Sequence, residues 1–362
     1  MRHSWPLAIS VVLFSLISAS AHAEDKPSVI RLGNPGVGAG NRPVVGGSSW
    51  SVAHIRGLFE EEFRADGIRV EWTFLRGAGP AVNELFANGL ADVSSYGDLP
   101  STIGRAGGLK TRVIAGSTRF NFYIAVPSDS SIRSIQDLRG KRVAVFKGTA
   151  NQLGANRIFE RYGLTEKDVR TINMDTASSK AALITKDVDA VVGGSDLIQL
   201  RDQGAARIIF STKGDARLAG NGALVVSDAF ATKYPSIVKR VVKVYVQATK
   251  WLTEAPPTEV YKLWSKSGFP YSNFKEDFVG DNLLERSNPL LDRYFTASFR
   301  SAIADEKKFG LLREPFAVET WFDPSFLQQV LKEEKLENYW SDRPASQNTP
   351  GGTSPVAVKS AN

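Results

Sequence analysis

Asn83-Glu84-Leu85-Phe86-Ala87-Asn88-Gly89-Leu90-Ala91-Asp92-Val93-Ser94-Ser95-Tyr96-Gly97-Asp98 has a second version further along the chain. It reads Ala181-Ala182-Leu183-Ile184-Thr185-Lys186-Asp187-Val188-Asp189-Ala190-Val191-Val192-Gly193-Gly194-Ser195-Asp196. Each stretch reads as the end of a helix, a tight turn, an Asp, a short apolar strand and a small polar loop. Leu85 to Asp98 and Leu183 to Asp196 span the same distance. Short strands fed by helices imply parallel sheet, and ligands bind at loops beyond the carboxyl ends of such strands. Two such loops predict two similar α/β lobes facing each other across a cleft that captures a small molecule.

The flanking sequence extends the alternation. Val29 to Gly33 reads as a first strand, followed by a glycine-rich loop from Asn34 to Ser49 that holds Pro35 and Pro43. A long loop of this kind is functional or mobile. One amphipathic helix is expected over 52–64, with Ile55, Leu58, Phe59 and Phe63 inward, then a strand from Ile68 to Leu75. Arg142 to Phe146 and Val169 to Asn173 read as strands of a second lobe. Extended segments near 119–126 and 212–226 are expected to cross between lobes. The domain reading is lobe 1 at 27–118 plus 219–340, lobe 2 at 122–211, and an unstructured tail at 341–362 rich in Pro, Ser, Gly and Asn. Two crossings make a hinge.

Bulk properties narrow the function. The chain has 362 residues, enough for about two domains. Net charge is +7, yet no dense Lys/Arg run or basic–aromatic interleaving points to nucleic acid. Arg2 and His3 precede an apolar run from Leu7 to Ile17, and Ala21-His22-Ala23 supplies an Ala-x-Ala cleavage site. This predicts a secretory signal peptide over 1–23. With no Cys in the chain there is neither a disulfide nor a lipid-anchor site. Export without an anchor favours a Gram-negative periplasm. After cleavage the one remaining His is His54, so multi-His metal sites are excluded and no metal or cofactor is expected.

The candidate binding residues sit at strand ends. Lys147-Gly148-Thr149-Ala150-Asn151 opens a helix, where free backbone N–H groups and the helix dipole attract anions. It is not a Walker motif. Arg76-Gly77-Ala78-Gly79-Pro80 holds the same place in the first lobe. Tyr96 either stacks on a ligand or caps the core, and Asp98 caps the helix that begins at Leu99-Pro100 or meets the ligand. Arg119 and Asn121, at the first crossing, would form the cleft floor; Arg suits oxyanions, or a hinge salt bridge. Arg286, Asp292 and Arg293 form a polar cluster whose direction the sequence leaves open.

Gly79-Pro80, Gly97-Asp98-Leu99-Pro100, Val126-Pro127 and Ile135-Gln136-Asp137-Leu138-Arg139-Gly140-Lys141-Arg142-Val143-Ala144 resemble periplasmic substrate-binding proteins of ABC transporters. The similarity is to the group binding aliphatic sulfonates, taurine and nitrate. It runs over roughly 28–340, with Trp321-Phe322-Asp323-Pro324 at its end. The resemblance implies a two-lobed α/β receptor of type II topology with two hinge crossings. It implies a non-enzyme that takes a small anion in its cleft and delivers it to a permease and its ATPase. A monomer is expected. The family's ligand loops match 34–49 with Ser48 and Ser49, 76–80, 96–99, 147–151, and 193–196 with Gly194, Ser195 and Asp196. Gly194-Ser195-Asp196 stands where many members have Trp-Asp-Pro, which implies a roomier cleft. The alternatives are an enzyme of the thiamine-precursor type, or a sensory binding module, on the same fold.

Overall fold

The strand within each copy of the doubled pattern lies at the centre of its own five-stranded sheet. The computed structural model describes residues 26–348; the expected signal peptide lies outside the described residues, as does 349–362 of the expected tail. In chain order the first lobe begins β1 (Val29–Asn34), α1 (Ser49–Ile55), α2 (Leu58–Arg64), β2 (Arg69–Phe74), α3 (Ala78–Ala87), β3 (Val93–Gly97), α4 (Asp98–Ala106) and β4 (Thr111–Gly116). The second comprises β5 (Tyr123–Pro127), β6 (Arg142–Val145), α5 (Ala150–Arg161), β7 (Arg170–Asn173), α6 (Thr176–Ile184), β8 (Ala190–Gly193), α7 (Asp196–Asp202) and β9 (Ala206–Ser211). The chain then returns through β10 (Gly222–Ser227) and ends in α8 (Asp228–Lys233), α9 (Pro235–Glu254), α10 (Pro257–Trp264), α11 (Tyr271–Phe278), α12 (Leu283–Arg286), α13 (Arg293–Lys308) and α14 (Ser325–Glu333).

The sheets have one plan. Strand orders are β2-β1-β3-β10-β4 and β7-β6-β8-β5-β9. In each, four strands run the same way and one antiparallel strand, crossed from the other lobe, lies between two of them: β10 pairs with β3 and β4, and β5 with β8 and β9. The two crossings touch. Phe120 N donates to Gly220 O at 3.0 Å and Gly220 N to Phe120 O at 2.9 Å, a single antiparallel bridge at the hinge. A Cβ on Gly220 would lie 2.2 Å from the Phe120 ring, so only glycine fits there.

Apolar spacing explains the packing. On α9, Val238, Val241, Val242, Tyr245, Ala248 and Leu252 recur at helical spacing and are buried against the first sheet. At ~1.5–3 kcal/mol for each large apolar side chain, this face is a principal source of lobe-one stability. The helix expected over 52–64 is broken in two, because Gly57 stands at φ 65° between α1 and α2. Residues 341–348, expected to begin an unstructured tail, instead pack onto the fold. Arg343 is buried, with its Nε 2.7 Å from Asp292 Oδ2, while Asp292 Oδ1 accepts from Phe295 N to cap α13. That ion pair resolves part of the cluster left undirected by the sequence. No helix among the described residues is long and apolar enough to cross a membrane.

Candidate functional site

A cavity of about 410 Å³ lies between the two sheets, at the carboxyl ends of the parallel strands. Helices α1, α3 and α4 from the first lobe and α5, α6 and α7 from the second all begin at its wall. Each strand-to-helix turn therefore points backbone N–H groups and the positive end of a helix dipole inward. These six starts are not equivalent. Asp98, Asp175 and Asp196 already stand at the starts of α4, α6 and α7, whereas α1, α3 and α5 carry no acid in the first turn. The acid-free edge therefore comprises Ser48 and Ser51, Ala78 and Gly79, and Thr149 to Asn151. It spans both lobes. Ala78 is held at φ 53°, a left-handed conformation costly for a residue with a Cβ.

Local hydrogen bonds fix this edge. Ser48 Oγ accepts from Ser51 N at 3.1 Å, and Thr149 Oγ1 accepts from Asn151 N at 3.2 Å while donating to Phe146 O at 2.7 Å. Two glycines let the lobes meet. A Cβ on Gly97 would lie 3.0 Å from Ala150 Cβ, and one on Gly148 would lie 3.2 Å from Pro80 Cγ. Both glycines serve approach of lobe to lobe, and Gly97 also lines the cavity.

Of the expected site residues, Ser48, Gly79, Tyr96, Gly97, Asn121, Thr149, Ala150, Asn151, Gly194, Ser195 and Asp196 line the cavity. Ser49, Arg76, Gly77, Asp98, Arg119, Lys147 and Gly148 do not. The physical reasons differ. Asp98 is buried: its Oδ1 accepts from Leu99 N at 2.9 Å and its Oδ2 from Asn221 N at 3.1 Å, tying α4 to the return crossing. Burial pushes its pKa up, against the pull of Arg157 and these N–H groups. Lys147 is drawn away to Glu166 Oε1 at 2.7 Å. Arg76 is exposed and faces Asp175 Oδ2 across the lobes at 3.7 Å. Ser49 is fully buried beside the cavity. Arg119 contributes backbone: its N donates to Arg286 O and its O accepts from Arg286 Nε, both at 2.9 Å.

Arg286, rather than Arg119, is the cationic side chain at the cavity wall. It is already neutralised. Its Nη2 lies 2.6 Å from Asp277 Oδ2 and its Nη1 2.8 Å from Asp281 Oδ2, and its guanidinium sits 3.5 Å over the Phe278 ring. Asp277 Oδ1 also accepts from Asn121 Nδ2 at 2.9 Å and from Tyr123 OH at 2.7 Å. The network joins α11 and α12 to the first crossing. Tyr96 is buried and donates to Asn83 Oδ1 at 3.1 Å; burial raises its pKa, so its hydroxyl stays neutral. Asp196 is paired with Lys180 at 2.8 Å.

Sequence reasoning missed the aromatic part of the wall. Phe120, Phe146, Phe269, Phe274 and Phe278 all line the cavity. Phe146 had a visible signal, since it directly follows β6 at the entry to the Lys147 turn. The α11 aromatics had none, because that helix reads as an ordinary amphipathic one. No His, Cys or Lys lines the cavity; His54 lies between Trp72 and Phe74, and burial lowers its pKa. Among the described residues no group of acidic or His side chains could hold a metal ion.

The sequence matches the family model described as NMT1/THI5 like over residues 51–259, more than half of the chain. The chain belongs to the NMT1/THI5-like family. This NMT1/THI5-like chain is 27% identical over 244 residues, 66% of its length and 70% of the relative's, to "Putative aliphatic sulfonates-binding protein" of Bacillus subtilis (strain 168). Among solved structures, "putative sulfonate ABC transporter, periplasmic sulfonate-binding protein SsuA" from Methylobacillus flagellatus KT is 32% identical. That match covers 88% of this chain and 98% of that one, with a TM-score of 0.74. The desulfurization enzyme DSZB, 20% identical with a TM-score of 0.62 over 84% of this chain and 99% of its own, shares the fold. The two-lobed architecture expected from the sequence is thus that of the sulfonate-binding relatives.

Proposed function

We propose that this protein is a periplasmic receptor that closes on a small organic anion of the sulfonate class and hands it to an ABC permease. One observation carries this reading: the cavity between the lobes is edged by the acid-free starts of α1, α3 and α5. Neutral N–H and hydroxyl donors there suit a weakly basic oxyanion, and a seat shared by both lobes couples binding to closure. The names of the sulfonate-binding relatives support the ligand class.

A non-enzymatic role fits the described lining, which lacks His, Cys and Lys and whose two carboxylates are already paired, Asp196 with Lys180 and Asp277 with Arg286. The Ala-x-Ala site at 21–23 supports export, and a monomer without nucleic acid is the accompanying expectation. Titration of the purified protein with methanesulfonate, ethanesulfonate, nitrate and acetate, read by melting temperature and calorimetry, tests the reading. Saturable binding of a sulfonate raises the melting temperature through mass action. Absence of binding by every sulfonate would refute it, and turnover of a bound sulfonate would refute the non-enzymatic role.

A further inference from the structure

The cavity has a second character, distinct from its anion edge. Phe146 is half-buried at the cavity wall, yet it belongs to neither apolar core of the second lobe. Among the described residues no aromatic ring lies against it. Other lining phenylalanines are held elsewhere: Phe120 edge-on to Phe122 at 5.6 Å between centroids, and Phe274 and Phe278 against Trp264 at 5.7 and 4.8 Å. Phe269, from the first lobe, is only partly buried and takes the Lys180 ammonium of the second lobe 5.4 Å from its centroid. A large aromatic side chain outside its core leaves apolar surface wet, which is unfavourable unless something covers it.

The cavity's size and charge say what that cover is. About 410 Å³ falls in the range of sites that enclose organic molecules of drug-like size, far more than a four-atom anion fills. Arg286, its one cationic lining residue, is matched by Asp277 and Asp281, so the walls offer no free countercharge for a second anionic group. The geometry points to a monoanionic oxyanion with an aryl body, its charged head at the starts of α1, α3 and α5 and its ring against Phe146. This rests on the receptor reading above and narrows it. Phe146 becomes a specificity-determining residue, since it directly precedes the Lys147–Asn151 turn and its carbonyl orients the Thr149 hydroxyl. The α5 part of the head site and the ring site are therefore linked within the second lobe.

Two probes sharing a head group test this on the full chain: benzenesulfonate and methanesulfonate, titrated by calorimetry. An offset-stacked or edge-on ring contact, with the area it buries, is worth about tenfold or more in affinity. Benzenesulfonate is expected to bind at least ~10-fold tighter, and Phe146→Ala to collapse that ratio toward one. Phe146→Leu, which keeps apolar bulk without the ring, is expected to fall between them. Equal affinities in the native protein, or a ratio untouched by Phe146→Ala, overturn the aryl assignment while leaving the receptor reading intact. Binding of neither probe overturns both.

Discussion

Glu306, on α13, is fully buried, with its Oε2 accepting from Thr102 Oγ1 at 2.7 Å and its Oε1 without a hydrogen-bond partner. Burial pushes its pKa from the usual 4.5 up to about 8, against the Thr102 hydrogen bond and with a further push from Asp98. A carboxyl whose folded pKa is raised binds its proton more tightly in the native state than in the unfolded one. Its stabilisation is therefore complete below about pH 4.5 and is lost as pH rises to about 8. At about 1.36 kcal/mol for each pH unit, the full loss is roughly 5 kcal/mol. Glu306→Gln keeps an acceptor for Thr102 and cannot ionise. The assay is urea unfolding of both proteins at intervals from pH 4.5 to 9. The stability of Glu306→Gln relative to the native chain is expected to climb by several kcal/mol over that window, with most of the change between pH 5 and 8. Two parallel curves would refute the reasoning, because they would mean that Glu306 carries the same charge in both states.

Arg286→Met leaves the Asp277 and Asp281 carboxylates without their cation, and unfolding free energy is expected to drop by about 3–5 kcal/mol in chemical denaturation. Gly97→Val adds bulk where the lobes already meet at Ala150 Cβ; the expected result is weaker sulfonate binding by calorimetry and a larger radius of gyration in solution with ligand present. Arg201 and Glu276 form a paired contact between α7 and α11, Nη2 to Oε2 at 2.7 Å, and both are partly exposed. Arg201→Ala is expected to cost about 0.2–1 kcal/mol of closure, seen as at most about a fivefold loss of ligand affinity, and a double-mutant cycle with Glu276→Ala checks the coupling.

The doubled pattern was legible because a parallel strand is short, apolar and fed by a helix, and those properties are local. Val93–Gly97 and Ala190–Gly193 accordingly sit at the centres of their sheets. The turn at 147–151 was legible for the same reason, since its hydroxyl and glycine lie next to a strand end. What failed was direction. Arg119 and Arg286 are both arginines near a crossing, and only the tertiary contact with Asp277 decides which guanidinium reaches the cavity wall. Gly148 lies where the backbone can come close to a neighbour, yet whether a ligand or a second lobe approaches depends on residues far along the chain. Residues 341–343 have the composition of a tail, yet Ser341 O accepts from Asn288 Nδ2, Asp342 pairs with Arg293 and buried Arg343 pairs with Asp292, contacts that no local pattern announces.

Contacts between the lobes exist on both flanks of the cavity. On one flank α11 reaches the second lobe through Asn273 Nδ2 to Ser195 O at 3.3 Å and through Asp277 to Tyr123. On the other, α13 does so through Asp305 to Arg157 at 2.7 Å and Lys308 to Glu160, with Leu99, Leu153 and Ala302 packed together beneath. Of these only Lys308–Glu160 is exposed, and such a pair contributes little, on the order of 0–1 kcal/mol, whereas Asn273, Asp277, Tyr123 and Arg157 are buried. A ligand shifts the equilibrium only by its preference for the closed form. A molecule seated on one lobe alone binds open and closed forms equally and shifts nothing. Under the proposed function, a ligand that closes this cavity would touch both lobes, whose lining includes Ser48 and Gly79 on one side and Thr149 to Asn151 on the other. An aryl body between Phe269 of the first lobe and Phe146 of the second would add its area to the same preference.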